Sequence, residues 1–302
     1  MEDVTELPGL SEDSPDGFMA ALGLLRVLTE DLDQSVRLSW DGVARIHGPG
    51  REQLLSLLKT HMRERHLAPE WNWADVTRKV SPERYTEVLQ EHGGDERFVR
   101  FLAGFVTPTI HDKKGFLART RLDMASGTQK LLGALRELAR KMSDKEELAA
   151  AFFEEALFAG RYRRSYASFG WDPSTVQDHA YSSKAPSELK ATSRPGMVWL
   201  VAESLALHPV LPVRGRAVTT GTGRVSGRTV YYWPVWEGEA DLAWVRAVRR
   251  VPLERLGRVA GVRRIWTSAF GKSGKGDVLR SPVRYEPTSD SLQGSTPQAV
   301  VI

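Results

Sequence analysis

The sequence predicts an α+β protein, helix-rich with short strands through its N-terminal and middle parts and β-rich in a basic last third. Three observations lead there. Segments with apolar residues at helical spacing crowd the first two thirds. Alternating apolar runs bounded by Gly, Asp and Ser dominate after residue 210. No regular strand–helix alternation of a doubly wound sheet appears. The expected divisions are an α/β part over 1–125, a mostly helical part over 126–210, a basic α/β part over 211–285 and a mobile polar tail over 286–302.

Taken in order, Ser14–Glu30 reads as a buried helix. Asp16 or Ser14 is placed to cap it, apolar residues cover most of its circumference, and Ala20, Ala21 and Gly23 admit a close neighbour. "VRLSW" and "VARIHG" flank Asp41-Gly42 as the arms of a hairpin. Helical patterns follow at Arg51–His66, Pro82–His92 and Glu96–Phe105. Phe116–Met142 alternates like a strand in its first half. From Ser126 it becomes an amphipathic helix with Leu131, Leu132, Leu135 and Leu138 on one side. Ser143-Asp144-Lys145-Glu146 has the spacing of a capping box for a helix running to about Leu157. Met197–Leu207 is helical and stops at Pro209. "PVLPVRGRAVTT" and "RTVYYWPVW" are strand-like around a Gly221–Gly227 loop, Asp241–Arg250 is a short helix, and Val262–Ser268 is a strand.

Composition narrows the function classes. Hydrophobic residues at 41% and charged residues at 26% support a buried core and exclude wholesale disorder. The absence of cysteine excludes disulfides, thiolate metal sites and a cysteine nucleophile. Six acids and no base in the first sixteen residues do not fit a secretory signal, and the apolar run Phe18–Leu25 is interrupted by Arg26. A cytoplasmic protein without membrane contact is the expectation.

The net charge of +4 hides a segregation. Between Leu211 and Tyr285 fifteen Lys and Arg face five acids, a local +10, so the rest of the chain sums to −6. A concentration of this kind points to a polyanion surface, because each neutralised phosphate releases condensed counterions. The competing reading is a basic exterior that serves solubility alone.

Gly271-Lys272-Ser273-Gly274-Lys275-Gly276 looks like a phosphate-binding loop, and it fails the test. G-x-x-x-x-G-K-[ST] needs Gly where this chain has Trp266 in one register and Ala269 in the other, and Gly276 follows Lys275 in place of Ser or Thr. What remains is a flexible loop bearing Lys272 and Lys275 close in sequence to Arg263, Arg264 and Arg280. In the helix at 241–250, Arg246, Arg249 and Arg250 stand at i, i+3 and i+4, expected on one exposed face opposite Trp244, Val245 and Val248. "GRYRRSYASFGW" interleaves Arg161, Arg163 and Arg164 with Tyr162, Tyr166, Phe169 and Trp171, a mixture suited to backbone contact with base stacking or, equally, to a core.

Catalytic signatures are sparse. Asp178 with Glu188-Leu189-Lys190 matches the acid…E-x-K formula of metal-dependent nucleases, but lacks the apolar flanks of a buried strand. His61 and His66 are five apart, off one helical face, and neither a zinc-ligand spacing nor a G-x-S-x-G elbow occurs. Nothing in the sequence calls for a cofactor.

Gly17, Phe18, Met19, Ala21, Leu22, Gly23, Leu24, Leu25 and Arg26, inside "LPGLSEDSPDGFMAALGLLRVL", resemble the strand–turn–helix opening of type I-U (I-G) CRISPR effector subunits of the large-subunit-like family. "RTRLDMASGTQKLLGAL" is similar to that family's strand–turn–helix region. The chain is shorter than those subunits, which makes it a compact relative or companion. The resemblance implies a non-enzymatic subunit that contacts guide RNA, target DNA or both inside an antiviral ribonucleoprotein, together with other protein subunits. The phosphate contacts expected from charge are Arg246, Arg249, Arg250, Arg263, Arg264, Lys272 and Lys275, with Arg161, Arg163 and Arg164 as a second cluster. Two alternatives stay open: a metal-dependent nuclease using Asp178, Glu188 and Lys190, and a structural subunit whose basic face meets an acidic protein.

Overall fold

The computed structural model describes residues 3–65, 67–73, 79–124, 131–164, 166, 169–175, 192–273 and 276–286. Its fold class is α+β, built from several small antiparallel sheets and a helical body. Strand β1 (Asp3–Ser11) pairs antiparallel with β3 (Val43–Gly48), which pairs with β2 (Arg37–Asp41) across the Gly42 turn. Between β1 and β2 runs α1 (Pro15–Arg26), every residue of which is buried, extended by a π turn at Val27–Asp31. Ser14 stands at its N-cap without capping it. The Ser14 hydroxyl turns to the Asp16 carboxylate, which also takes Arg194 Nη2 at 2.7 Å.

The helical body comprises α2 (Arg51–Arg65), α3 (Pro69–Asn72), α4 (Pro82–His92), α5 (Glu96–Phe105), α6 (Leu131–Ser143), α7 (Glu146–Glu154) and α8 (Pro195–Ser204). Short hairpins punctuate it: β4 (Val106–His111) with β5 (Leu117–Arg119), and β6 (Arg163–Arg164) with β7 (Thr192–Ser193). The capping box expected at Ser143 does not form. Lys145 occupies the N-cap, and the Ser143 hydroxyl donates back to the Arg140 carbonyl at 2.8 Å, closing the preceding helix instead.

Helix α8 lies against α1, as the small residues at Ala20, Ala21 and Gly23 allow. A Cβ on Gly23 would sit 1.8 Å from the Leu200 carbonyl oxygen, so only glycine permits this approach. The contact is locked by buried charge. Glu203 of α8 accepts Arg65 Nε and Nη2 at 2.8 and 3.0 Å, and it also accepts Arg26 of α1. Burial pushes the Glu203 carboxyl up, but Arg65 and Arg26 outweigh it and hold the carboxyl below its ordinary range. Such a network fixes which helix meets which, since removing one partner leaves an uncompensated buried charge.

After residue 209 come β8 (Val210–Val213), β9 (Arg216–Thr219), β10 (Thr222–Val225), β11 (Arg228–Trp236), α9 (Leu242–Arg249), α10 (Leu253–Leu256), β12 (Val262–Ser273), β13 (Gly276–Leu279) and β14 (Val283–Arg284). "PVLPVRGRAVTT" is therefore a hairpin with its turn at Arg214-Gly215, where a strand was expected. The main sheet runs β10-β11-β12-β13, with β14 also on β12. It joins the first sheet through a bridge between Leu38 and Ala240 and through Trp236 Nε1 on the Leu38 carbonyl at 3.0 Å. Phe18 stacks on Trp40 with centroids 5.7 Å apart, and Trp236 meets Trp40 edge-on, so the hydrophobic core packs α1 against both sheets. Among the described residues no helix is long and apolar enough to cross a membrane.

Candidate nucleic-acid interface

Helix α9 begins at the Asp241 N-cap, whose Oδ1 accepts the Trp244 N–H at 2.7 Å. Its three arginines do not share one exposed face. At the helical repeat, Arg249 lies about 20° from Leu242 and about 40° from Val245, inside the apolar stripe, while Arg250 lies about 140° from Val245. Arg249 is accordingly buried at 1% exposure, which corrects its expected place among the phosphate contacts. Its Nη1 donates to the Tyr232 carbonyl at 2.8 Å, and its guanidinium lies over the rings of Phe18, Tyr231 and Tyr232.

Next to it His208 donates Nδ1–H to the Ser204 carbonyl at 2.8 Å, leaving Nε2 to accept from the Tyr231 hydroxyl at 3.0 Å. Burial, reinforced by Arg249, lowers the His208 pKa to about 3 and keeps the ring neutral. Gly221 completes this knot: its φ is +81°, and a Cβ there would meet Arg249 Nη2 at 1.7 Å. Arg249 thus organises the core of the basic third and does not reach its surface.

Arg246 is half-buried and paired with Glu30, which also takes Arg100. Arg250 is exposed, and among the described residues no carboxylate pairs with it. Lys272, 71% exposed, pairs with Asp277 at 2.6 Å. The glycine-rich stretch is the turn of the β12–β13 hairpin, where Lys272 pairs with Asp277 and Ser273 with Gly276. It does not open a helix, as a phosphate-binding loop would. Lys275 lies outside the described residues.

The arginines of β12 are brought together by an irregularity. Val235 pairs with Arg264 and Trp236 with Val262, so Arg263 is the extra residue of a β-bulge. Consecutive side chains of a regular strand point to opposite faces. Here both reach one carboxylate: Arg263 Nη2 donates to Glu12 Oε2 at 2.8 Å, and Arg264 Nη1 donates to Glu12 Oε1. Glu12 is itself buried and held by the Gly42 N–H at 3.2 Å, while its carbonyl accepts Trp233 Nε1 at 2.9 Å. Arg263 and Arg264 remain 29% and 38% exposed. They line a cleft of about 260 Å³ with Val262, Ile265, Gly257, Tyr285, Glu286 and Arg284, the last 58% exposed and 4.0 Å from Glu286. Two guanidiniums on one carboxylate leave a local surplus of one positive charge, while the third guanidinium, Arg284, is matched by Glu286.

The second cluster is largely accounted for internally. Arg163 makes two 2.7 Å bonds to Glu155 and covers the Phe152 ring. Arg161 is exposed, and Arg164 pairs its backbone with Thr192. Phe169 and Trp171 are core residues, Trp171 Nε1 donating to the Leu122 carbonyl at 2.8 Å, so they offer no face for base stacking. Tyr162 is 42% exposed, and its hydroxyl donates to Asp172 at 2.7 Å. Asp178, Glu188 and Lys190, Ser126 at the expected helix start, and residues 287–302 of the expected tail lie outside the described residues.

The structure therefore assembles Arg263 and Arg264 into one site, adds Arg284 and Tyr285, and leaves Arg246, Lys272 and Arg163 in separate ion pairs. Glu12 is the residue that sequence reasoning passed over. It was visible only as one of six N-terminal acids, with nothing local to tie it to a strand some 250 residues away. No protein-family model matches the chain, and no curated protein matches it.

Proposed function

We propose that this chain is a non-enzymatic nucleic-acid-binding subunit of a CRISPR-type antiviral ribonucleoprotein, working with other protein subunits and holding the backbone of guide RNA, target DNA or both. The observation that carries the binding reading is the bulge-gathered pair Arg263 and Arg264, sharing the single carboxylate of Glu12 beside Arg284 in one open cleft. A guanidinium that shares its carboxylate keeps donors for a phosphate oxygen, and its planar fork suits that ligand. Exposed Arg250 ends α9 and exposed Arg255 lies within the short helix α10, and among the described residues no carboxylate pairs with either. The effector context rests on the likeness of the Gly17–Arg26 helix to type I-U subunits.

The test is binding of labelled RNA and DNA strands, by anisotropy across a salt series, to the parent and to Arg263→Gln/Arg264→Gln. Loss of the pair is expected to weaken binding to all sequences alike and to flatten the salt slope by about 1.4–1.8, at roughly 0.7 to 0.9 per phosphate contact. An unchanged slope in a folded variant favours an acidic protein partner for this face. Cleavage of the strands in Mg²⁺ or Mn²⁺, lost on Glu188→Ala, overturns the non-enzymatic reading.

A further inference from the structure

Outside the cleft, the β8–β9 hairpin carries charge on a fully exposed tip. From Leu211 to Arg216 every residue is exposed, including Leu211 at 41% and Val213 at 45%. Its root is firm. Val210 and Thr219 pair at the base and are buried, and Thr219 Oγ1 accepts the Arg121 N–H at 2.8 Å and lies 3.3 Å from Thr120 Oγ1. That joint ties it to the β4–β5 hairpin, whose strand β4 packs beside β8.

The tip is a two-residue turn with φ of +48° at Arg214 and +73° at Gly215. Such a turn favours Asn-Gly, because a long side chain on a left-handed residue crowds its own backbone. Arginine stands there nonetheless, with Arg216 opposite Val213 beside it. Among the described residues no carboxylate pairs with Arg214 or Arg216. The neighbouring hairpin carries exposed Lys113 and Lys114 at its own turn. The one acid there, Asp112, is occupied by the N–H groups of Lys114 and Phe116 at 2.8 and 3.1 Å.

Two firmly rooted ribbons with cationic tips and little internal neutralisation fit a polyanion, and the shape selects which one. Single strands are held by aromatic stacking platforms. No Phe, Tyr or Trp occurs between Leu211 and Gly227. A two-stranded ribbon, about 5 Å between strands plus side chains, matches the roughly 12 Å major groove of B-DNA. The major groove of A-form RNA is too deep and narrow for it. Leu211 and Val213, two residues apart on one strand, put an apolar strip on one face of the ribbon, suited to sugars and thymine methyls.

We propose that the β8–β9 ribbon enters the major groove of duplex DNA, with Arg214 and Arg216 reaching base edges or phosphates from its tip, while Lys113 and Lys114 rest on flanking backbone. This rests on the nucleic-acid reading above and assigns it a substrate form and a second contact.

The experiment uses the full chain and three labelled probes: a 20-base-pair DNA duplex, the RNA duplex of the same sequence and the single DNA strand. The parent is expected to prefer the DNA duplex. Arg214→Asn/Arg216→Gln, with an unaltered or higher Tm because Asn tolerates the turn, is expected to bind that duplex at least tenfold more weakly. Its salt slope should fall by about 1.8 for two lost contacts, and its preference over the RNA duplex should shrink. Lys113→Gln/Lys114→Gln should lower the affinity for all duplexes alike. A folded Arg214/Arg216 variant with parental duplex affinity and slope, or a parent that prefers the single strand, overturns the ribbon assignment and leaves the cleft reading standing. A parent that binds none of the three probes overturns the ribbon assignment, and it overturns the cleft reading as well when a labelled single RNA strand also stays unbound.

Discussion

Replacing Glu12 with Gln tests the cleft from the side that sequence reasoning missed. In the parent, the Glu12 carboxylate takes Arg263 on one oxygen at 2.8 Å and Arg264 on the other, so the pair presents one net positive charge. Glu12→Gln keeps the shape and raises that surplus to two. A phosphate held on the outer side of either guanidinium would stand about 7 Å from the removed charge. Coulomb's law between effective dielectrics of 20 and 80 gives about 0.6–2.4 kcal/mol of relieved repulsion there. That is a gain of about threefold to sixtyfold in affinity, with a salt slope steeper by as much as about 0.9.

The same substitution weakens two charged hydrogen bonds to a buried side chain. A stability loss of about 1–3 kcal/mol follows, or a Tm lower by about 2–5 °C. Anisotropy titrations of labelled DNA and RNA at several salt concentrations, beside a thermal melt, read both effects. The two shifts are opposite in sign, so generalised damage cannot imitate them. A folded variant whose affinity falls, or whose slope matches the parent, refutes the idea that the Glu12-shared arginines meet phosphate.

Two further outcomes follow from the fold. Gly23→Ala adds helix propensity in isolation, yet its Cβ meets the Leu200 carbonyl oxygen at 1.8 Å and must drive α1 from α8. A loss of about 3 kcal/mol or more is expected in a chemical denaturation curve, and a stabilised variant would disprove the close crossing. Asp16 is raised to about 6, chiefly by burial and then by repulsion from Asp172, against the pull of Arg194. A carboxyl raised in the folded state is comfortable when protonated. The parent should therefore lose stability relative to Asp16→Asn as pH climbs from about 4 to 6, by up to about 3 kcal/mol, with no further change above. Melts of both proteins from pH 3.5 to 8 that stay parallel would contradict this.

How much of this was legible beforehand depends on the range of the interaction. The α1 helix, its buried character and its need for a close neighbour were written in Ala20, Ala21 and Gly23, because helix formation and packing face follow from spacing along one segment. The hairpin at Gly42, helices α2, α4 and α5 and the capped helix α9 were readable for the same reason. The failed phosphate-loop pattern at Gly271 also stood on the page, and the structure makes that stretch a hairpin. Arg249 was misplaced although the helical repeat itself put it beside Leu242 and Val245. Its charge argued for solvent, and only the carbonyl of Tyr232 and three aromatic rings from distant segments make burial tolerable.

Local sequence, by itself, determined the longer helices, strands β2, β3, β11 and β12, the α+β class and the positive surplus of the last third, since propensity, periodicity and formal charge are properties of neighbours along the chain. It took the stretch holding β10 for a loop and passed over α3 and α10. Tertiary structure alone decided which of those charges remain available. Glu30, Glu155, Asp277 and above all Glu12 neutralise or share particular arginines and lysines. A bulge opposite Val235 and Trp236 turns two adjacent arginines the same way, and a two-residue turn lifts Arg214 and Arg216 clear of the body. Coulombic pairing and solvent access depend on distance through space, and the chain sets those distances only once it has closed on itself.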